Sequence, residues 1–428
     1  MPSTRPWFPG GLPAPRATAI AITTLLAAGS LTGIAIASEQ DVNPLPDAPS
    51  VAKITVELDG LRRDAATLAE QHGVSVDTMH EYLLEQERLN AVAPKVEEAA
   101  GARLAGLWID WQPAPVLIVS MTGNTEDSRV TEALGSVSSS SEVRYGAAYS
   151  RAELLDELDR LASSGLRSRI PSATGHYLDE PNNQIVITLA DSSAESARSV
   201  PAITGLLTDL SVPHEFVFDG GPAAPANRGG RHLSSCTSGF TVYHPSTNTH
   251  GYLTAGHCGP TQNYMWWSDL SWRETAFVDE RWNASVDVQW HRVDPATQAV
   301  APLFHVAKTT AYQQAGTTTV VPGSQVCNWG SRSLTSNCGT VTSLNYAPTV
   351  CGPTEGPCNN TFIRVSTGSG HMCKGDSGGP VYIGPSAVGI LSGGGPFDGQ
   401  CLTGTSRWIY VNPINTALGL LGLALYTS

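Results

Sequence analysis

Cys373-Lys374-Gly375-Asp376-Ser377-Gly378-Gly379-Pro380 places one serine among glycines, and the reading of the whole chain turns on it. A serine hydroxyl is a poor nucleophile until a neighbouring base takes its proton. The glycines permit a sharp turn that exposes Ser377 and aims the N–H groups of Gly375 and Ser377 at a developing oxyanion. Upstream, Leu253-Thr254-Ala255-Gly256-His257-Cys258 supplies a base in His257. Between the two, Ser285-Val286-Asp287-Val288-Gln289-Trp290 supplies a carboxylate. Its apolar flanks read as a strand that buries Asp287 beside an imidazole, as an orienting carboxylate requires. Asp279 and Asp294 are its rivals, but both stand in polar or Pro-bearing stretches that read as loops. A lone His257 is more simply a core histidine, and a lone Ser377 a turn residue. Together they make a nucleophile–base set.

Around these segments lie short runs of β-branched and aromatic residues: Phe240–Tyr243, Thr317–Val321, Thr340–Leu344, Phe362–Val365, Val381–Ile383 and Ala387–Leu391. Turn-forming Gly, Ser, Thr and Asn separate them, the pattern of a β-sandwich or barrel. The apolar tail Ala417–Leu425 is too short to cross a bilayer and reads as a terminal helix docked on the core.

The 428 residues allow two or three domains. Only 15 % are charged, and 42 Gly and 29 Pro mark a turn-rich chain. A net charge of −13 argues against a nucleic-acid binder, which would carry a basic stripe. The charge is uneven: residues 1–228 hold 16 Lys and Arg against 29 Asp and Glu, whereas residues 229–428 hold 9 of each. All eight Cys lie at or after Cys236. The two halves are different objects.

Arg5 and Arg16 precede an Ala-rich stretch ending in Ala35-Ile36-Ala37, a cleavable export signal over 1–38. An uncleaved anchor is the alternative, since Ala17–Ala37 is long enough to span, though its Thr, Ser and Gly make it weakly hydrophobic. In an exported chain an even Cys count reads as a disulfide framework. After a linker over Asp41–Ser50, Leu61–Val92 reads helical with a break at Gly73 and a second start at Ser75 or Asp77.

A repeat follows at a constant offset of 69 positions. Gly106-Leu107-Trp108-Ile109-Asp110 with Val116–Val119 matches Gly175-His176-Tyr177-Leu178-Asp179 with Ile185–Thr188. Each copy reads as a hairpin, a helical stretch and a third strand, the copies lying near 103–170 and 172–219. Arg151–Ser163 is the clearest helix, and Glu142–Tyr145 and Glu215–Phe218 the closing strands. This half carries no nucleophile–base pair and no metal-ligand cluster; Asp110 and Asp179 read as turn formers. It is a helper. Gly220–Gly230 marks the boundary, giving a leader over 39–228 and a second half over 229–428.

Thr254-Ala255-Gly256-His257-Cys258 followed by Gly375-Asp376-Ser377-Gly378-Gly379-Pro380, with an Asp between, resembles the chymotrypsin-fold serine peptidases. The duplicated, Cys-free leader is similar to the pro-region of the bacterial streptogrisin and alpha-lytic protease group. That resemblance implies a mainly β double barrel preceded by an α/β pro-region, with catalytic residues His257, Asp287 and Ser377 and an oxyanion hole at Gly375 and Ser377. It implies a secreted endopeptidase made as a zymogen, acting on polypeptides as a monomer. No cofactor, metal, nucleic acid or membrane (once the signal is cut) enters, and the pro-region assists folding or inhibits. Eight Cys allow 105 pairings; the resemblance favours Cys236–Cys258, Cys327–Cys338 and Cys373–Cys401, which leaves Cys351–Cys358. Asp376 would be a buried carboxylate needing a cation. The bacterial group places an Arg just after a Cys, but here Asn328 follows Cys327, and Arg332 in the same loop is the substitute.

Ser392-Gly393-Gly394 resembles the strand that pairs with substrate backbone. His371 stands where trypsin-like relatives select basic residues with an Asp, which points away from a basic preference. A large apolar or aromatic residue before the scissile bond is the default, with acidic selection through His371 the alternative. Trp266-Trp267 reads as packing rather than a sugar platform. Two other classes are weighed. An α/β-hydrolase esterase runs Ser, Asp, His, the wrong order; a non-catalytic chymotrypsin-fold binding protein would have lost a triad member. Maturation is expected between Pro225 and Arg231, next to Asn227-Arg228.

Overall fold

The computed structural model describes residues 55–57, 59–163, 166, 170, 173–190, 210–218, 224–225, 233–265, 272–294, 300–349, 351–352, 356, 358–368, 372–398, 401–402 and 407–427. The expected signal segment, Trp266-Trp267, His371 and the stretch 226–232 lie outside these residues. No helix among them is long and apolar enough to cross a membrane.

The leader opens with a short strand, β1 (Thr55–Glu57), then helix α1 (Gly60–His72), which stops where Gly73 turns to φ +66°. Helix α2 (Val76–Ala100) starts at Ser75, whose hydroxyl accepts from the N–H of Thr78 at 3.0 Å. It runs past the expected end at Val92 and through Pro94. Val96 and Ala100 extend the buried stripe of Leu89 and Ala93, and that burial outweighs the backbone bond a proline removes.

Two three-stranded units follow. In the first, β2 (Leu104–Asp110) and β3 (Val116–Thr122) form an antiparallel hairpin, α3 (Ser128–Leu134) crosses over, and β4 (Ser141–Ala147) lies parallel to β3. Helix α4 (Arg151–Ser163) leads to the second, where β5 (Ala173–Asp179), β6 (Gln184–Leu189) and β7 (His214–Phe218) repeat both pairing senses. The helical stretch expected between β6 and β7 lies outside the described residues. Leu154, Leu158 and Leu161 of α4 pack over Leu178, Ile185 and Ile187. Asp110 and Asp179 do form turns, accepting from the N–H groups of Gln112 (3.2 Å) and Asn182 (3.3 Å). A last short strand, β8 (Ala224–Pro225), closes the leader.

The second half is mainly β. Strands β9 (Thr241–His244), β10 (Thr249–Thr254), β11 (Ala276–Asn283) and β12 (Val286–Arg292) form an antiparallel sheet, and β13 (Leu303–Ala307) and β14 (Thr310–Gln313) form a hairpin. Asp279 thus lies in a strand rather than the expected loop, paired at the surface with Arg281. Next come β15 (Gln325–Gly330), β16 (Thr335–Pro348), β17 (Phe362–Ser366), β18 (Pro380–Ile383), β19 (Ser386–Gly395) and β20 (Trp408–Pro413). Their order β15-β18-β19-β20-β17-β16, with β15 also bonded to β16, closes a six-stranded barrel. Helix α5 (Ile414–Leu421) packs on that core, and β21 (Ala424–Leu425) returns to β9. The apolar tail is therefore a helix plus a strand.

Leader and barrel share backbone ladders. β5 adds to β16 with His176 opposite Ala347, and β1 runs parallel to β14. Asp64 of α1 accepts from the Gly384 N–H (2.7 Å) and the Tyr312 hydroxyl (3.1 Å). Gln86 of α2 meets both backbone groups of Gln325. The strand expected over Thr317–Val321 is only Gly316–Thr317, because the following residues turn to the leader. Thr319 donates to the carbonyl of Asn90, and Val321 enters the core beneath α2.

Candidate active site

The antiparallel sheet of β9 to β12 and the six-stranded barrel each contribute one side of the site. β10 ends at Thr254, and the helical turn Gly256–Cys258 that follows carries His257, fastened by the Cys236–Cys258 disulfide. The adjacent strand β12 carries Asp287, which is 6 % exposed. Across from them, the loop before β18 carries Ser377. Gly378, just beyond, has φ +86°, and a Cβ there would stand 2.1 Å from both the Thr237 carbonyl and Thr254 Oγ1. Only glycine fits, as the expected sharp turn requires.

His257, Asp287 and Ser377 meet. His257 Nε2 lies 2.9 Å from Ser377 Oγ, and Nδ1 lies 2.6 Å from Asp287 Oδ2. The His257 N–H also donates to Asp287 Oδ1 at 2.8 Å, so the carboxylate holds both ring and backbone. Ser377 Oγ can instead donate to the Ser392 carbonyl, 3.1 Å away. Burial pushes the Asp287 carboxyl up, but the His257 charge and hydrogen bonds from His257 and Ser392 outweigh it and hold it below its ordinary value. An ionised, oriented carboxylate, an imidazole and a hydroxyl in line can move a proton from serine to histidine during attack on a carbonyl.

Two residues at Asp287 had no assigned part in this cluster from sequence. Ser392, expected to line the substrate strand, also donates its hydroxyl to Asp287 Oδ2. Asn412 binds the Asp287 backbone. Its signal was a single amide inside the apolar run Trp408-Ile409-Tyr410-Val411-Asn412.

Gly393 and Gly394 do not stand free: they pair antiparallel with Pro225 and Ala224 of β8. Gly375, the other expected oxyanion donor, has φ +112°. Asp376 corrects an expectation. The guanidinium of Arg332 forms no ion pair with it among the described residues; backbone N–H groups of Arg332 (2.9 Å), Ser333 (3.2 Å) and Cys373 (2.8 Å) bind it instead. Burial raises its carboxyl above the ordinary value despite these donors. Gly330 makes the close approach possible, since a Cβ there would lie 2.0 Å from the carboxyl carbon. The eight cysteines form four bridges, Cys236–Cys258, Cys327–Cys338, Cys351–Cys358 and Cys373–Cys401.

Residues 246–416 match the family model described as Trypsin. Streptogrisin-C of Streptomyces griseus is 29 % identical over 423 residues, covering 96 % of this chain and 83 % of that protein. Streptogrisin-A of the same organism is 28 % identical over 278 residues, covering 61 % of this chain and 81 % of its own length. Among solved structures, Thermobifida fusca Protease A shows 29 % sequence identity with a TM-score of 0.36, covering 45 % of this chain and 92 % of that one.

Proposed function

We propose that this chain, a serine endopeptidase of the bacterial chymotrypsin-fold group with a trypsin-family domain, is a secreted zymogen: residues 1–38 direct export, 39–228 form the pro-region and 229–428 the mature enzyme. Ser377 attacks the peptide carbonyl while His257 takes its proton and delivers it to the leaving amine. The peptide C–N bond breaks and an acyl-enzyme forms; water then repeats the sequence and frees Ser377. Asp287 fixes the imidazole and stabilises its charged form, and the N–H groups of Gly375 and Ser377 receive the oxyanion. The contact between His257 Nε2 and Ser377 Oγ, with Asp287 behind, is the observation that carries this reading.

The pairing of β8 with Gly393 and Gly394 supports a leader that both inhibits and is cut. An extended chain on that edge takes the place of substrate by strand addition. The ladder sets Ala224 against Gly394 and Pro225 against Gly393, so the next residue in each chain is Ala226 and Ser392. Because Ser392 stands next to Gly393 in the direction of Ser377, we propose maturation just beyond Pro225, between Pro225 and Arg231 and next to Asn227-Arg228, as expected from sequence. Other substrates would be polypeptides with a large apolar or aromatic residue before the scissile bond; acidic selection through His371 is the alternative. The mature enzyme acts as a monomer, without cofactor, nucleic acid or membrane.

Labelling with a fluorophosphonate should modify the wild-type enzyme and fail on Ser377→Ala. Labelling that survives the substitution would contradict the assignment of Ser377 as nucleophile.

A further inference from the structure

Asp287 belongs to the antiparallel sheet of β9 to β12, whereas the groups that receive and position substrate, Ser377 and Ser392 to Gly394, belong to the six-stranded barrel and the loop before its β18. Something must hold the carboxylate in register with elements to which it is not covalently close. The backbone ladder does not: β10 last pairs with β12 through Thr254 and Gln289, and the chain then leaves for the turn bearing His257. At that open ladder position the side chain of Asn412 takes over. Its Oδ1 accepts from the Asp287 N–H at 2.8 Å, and its Nδ2 donates to the Asp287 carbonyl at 2.9 Å. The amide thus imitates a neighbouring strand residue, one acceptor and one donor against the backbone N–H and C=O of one residue. Asn412 is 1 % exposed, and Nδ2 also reaches the Ile390 carbonyl at 3.5 Å. In the barrel ladder Asn412 stands directly opposite Ile390, two residues before Ser392. One strand pair therefore bears on Asp287 twice: β20 through Asn412 on the backbone, and β19 through Ser392 on the carboxylate.

We propose that Asn412 is a positioning residue for the reaction, a two-point amide clamp that carries the geometry of the six-stranded barrel across to Asp287. It touches neither substrate nor the reacting atoms. It acts by fixing the backbone of the residue from which the carboxylate is aimed at His257 Nδ1, and this role rests on the triad reading given above. Loss of the clamp lets the carboxylate drift from the imidazole, so the imidazolium formed during attack is less stabilised. The chemical step slows, while the substrate-pairing edge at Gly393 and Gly394 is unchanged.

The test uses the full chain, matured, with active enzyme counted by fluorophosphonate titration. Asn412→Leu removes donor and acceptor at similar volume. Per titrated site, kcat should fall about 10- to 100-fold with KM within about two-fold. The acid limb of kcat/KM against pH should move to lower pH, as expected for a less basic His257. Asn412→Ser, too short to reach both backbone groups, should show the same direction and carries the test should the leucine variant not fold. An unchanged acid limb, with activity falling only as fast as the number of titrated sites, would reduce Asn412 to a stability residue and overturn the proposal. Ser377→Ala measured in parallel separates the two readings. If that variant keeps activity, the triad assignment fails; if it is inactive while the Asn412 variants keep wild-type profiles, only the clamp fails.

Discussion

The leader and the barrel half reach order by opposite means. The barrel half holds all four disulfides, no net charge and a closed sheet in which every strand has two neighbours. The leader over 39–228 has no cysteine and 14 Lys and Arg against 29 Asp and Glu, a balance of −15. It packs part of its hydrophobic residues in two small cores under α2 and α4, while Leu61, Leu68, Met79 and Leu83 of α1 and α2 join the main core of the barrel half. Its two units are tied by Glu180, which accepts from the Leu107 N–H and pairs with Arg151, itself paired with Glu97. Its second sheet is not self-contained, because β5 continues onto β16 and its other edge ends at β7. An exposed strand edge is a template for pairing. The barrel needs distant strands joined, and loop-closure entropy makes such pairing slow. On the proposal that the leader assists folding, its β5 against β16 and its Asp64 and Gln86 against Gly384, Tyr312 and Gln325 are the contacts that would supply that order in advance. On the same proposal, the four disulfides and the closed barrel would keep the barrier to unfolding high after the leader is removed.

The largest effect separates chemistry from folding. Ser377→Ala should lower kcat on the order of 10⁶-fold and accumulate uncut precursor, visible as a single full-length band. Mature-sized protein from that variant would assign the cut to another protease. Asp287→Asn should cost about 10⁴-fold in kcat with the fold intact, read by progress curves and circular dichroism together.

A smaller effect probes each half through a histidine buried on its own. Burial pushes both His176 in the leader and His291 in the barrel half down to about 4. Neither His176 ring nitrogen has a hydrogen-bond partner among the described residues. A depressed histidine leaves stability intact above 6.5 and erodes it as the pH falls toward 4, since only the unfolded chain takes the proton. Each group should remove about 3 kcal/mol over that window. Melting of the uncut Ser377→Ala chain at pH 7 and pH 4.5 should show the loss, and His176→Phe and His291→Phe should each flatten part of it. A pH-independent melting temperature in the parent chain would remove both contributions. The smallest effect is a cap: Ser75→Ala should destabilise α2 by about 1 kcal/mol, read by thermal melts.

What the sequence displayed clearly was what depends on local pattern. Arg151–Ser163 reads as a helix because leucines repeat on one face, and the structure has that same span. His257 and Ser377 are legible because glycines and cysteines around them permit few other uses. What escaped was set by partners far along the chain. Thr317–Val321 has strand composition, yet the Thr319 hydroxyl and the Val321 side chain are claimed by α2, more than 200 positions earlier. Asp376 suggested a cation, but three backbone donors bind it, and backbone donors leave no mark in residue identity. Asn412 showed only as a lone amide in an apolar run, for the same reason: its partners are backbone groups of Asp287 in another sheet.

The most direct test is refolding in two parts. Residues 229–428, refolded alone under oxidising conditions, should remain inactive or molten, with little native near-ultraviolet signal. Addition of residues 39–228 as a separate chain should restore fluorophosphonate labelling of Ser377 and peptidase activity. Substituting Gln86 and Asp64 by Ala in the added leader should slow that recovery, because both bind barrel backbone groups. Efficient recovery of activity by residues 229–428 without the leader would contradict templated folding and leave β8 on the substrate edge as the leader's one role, inhibition.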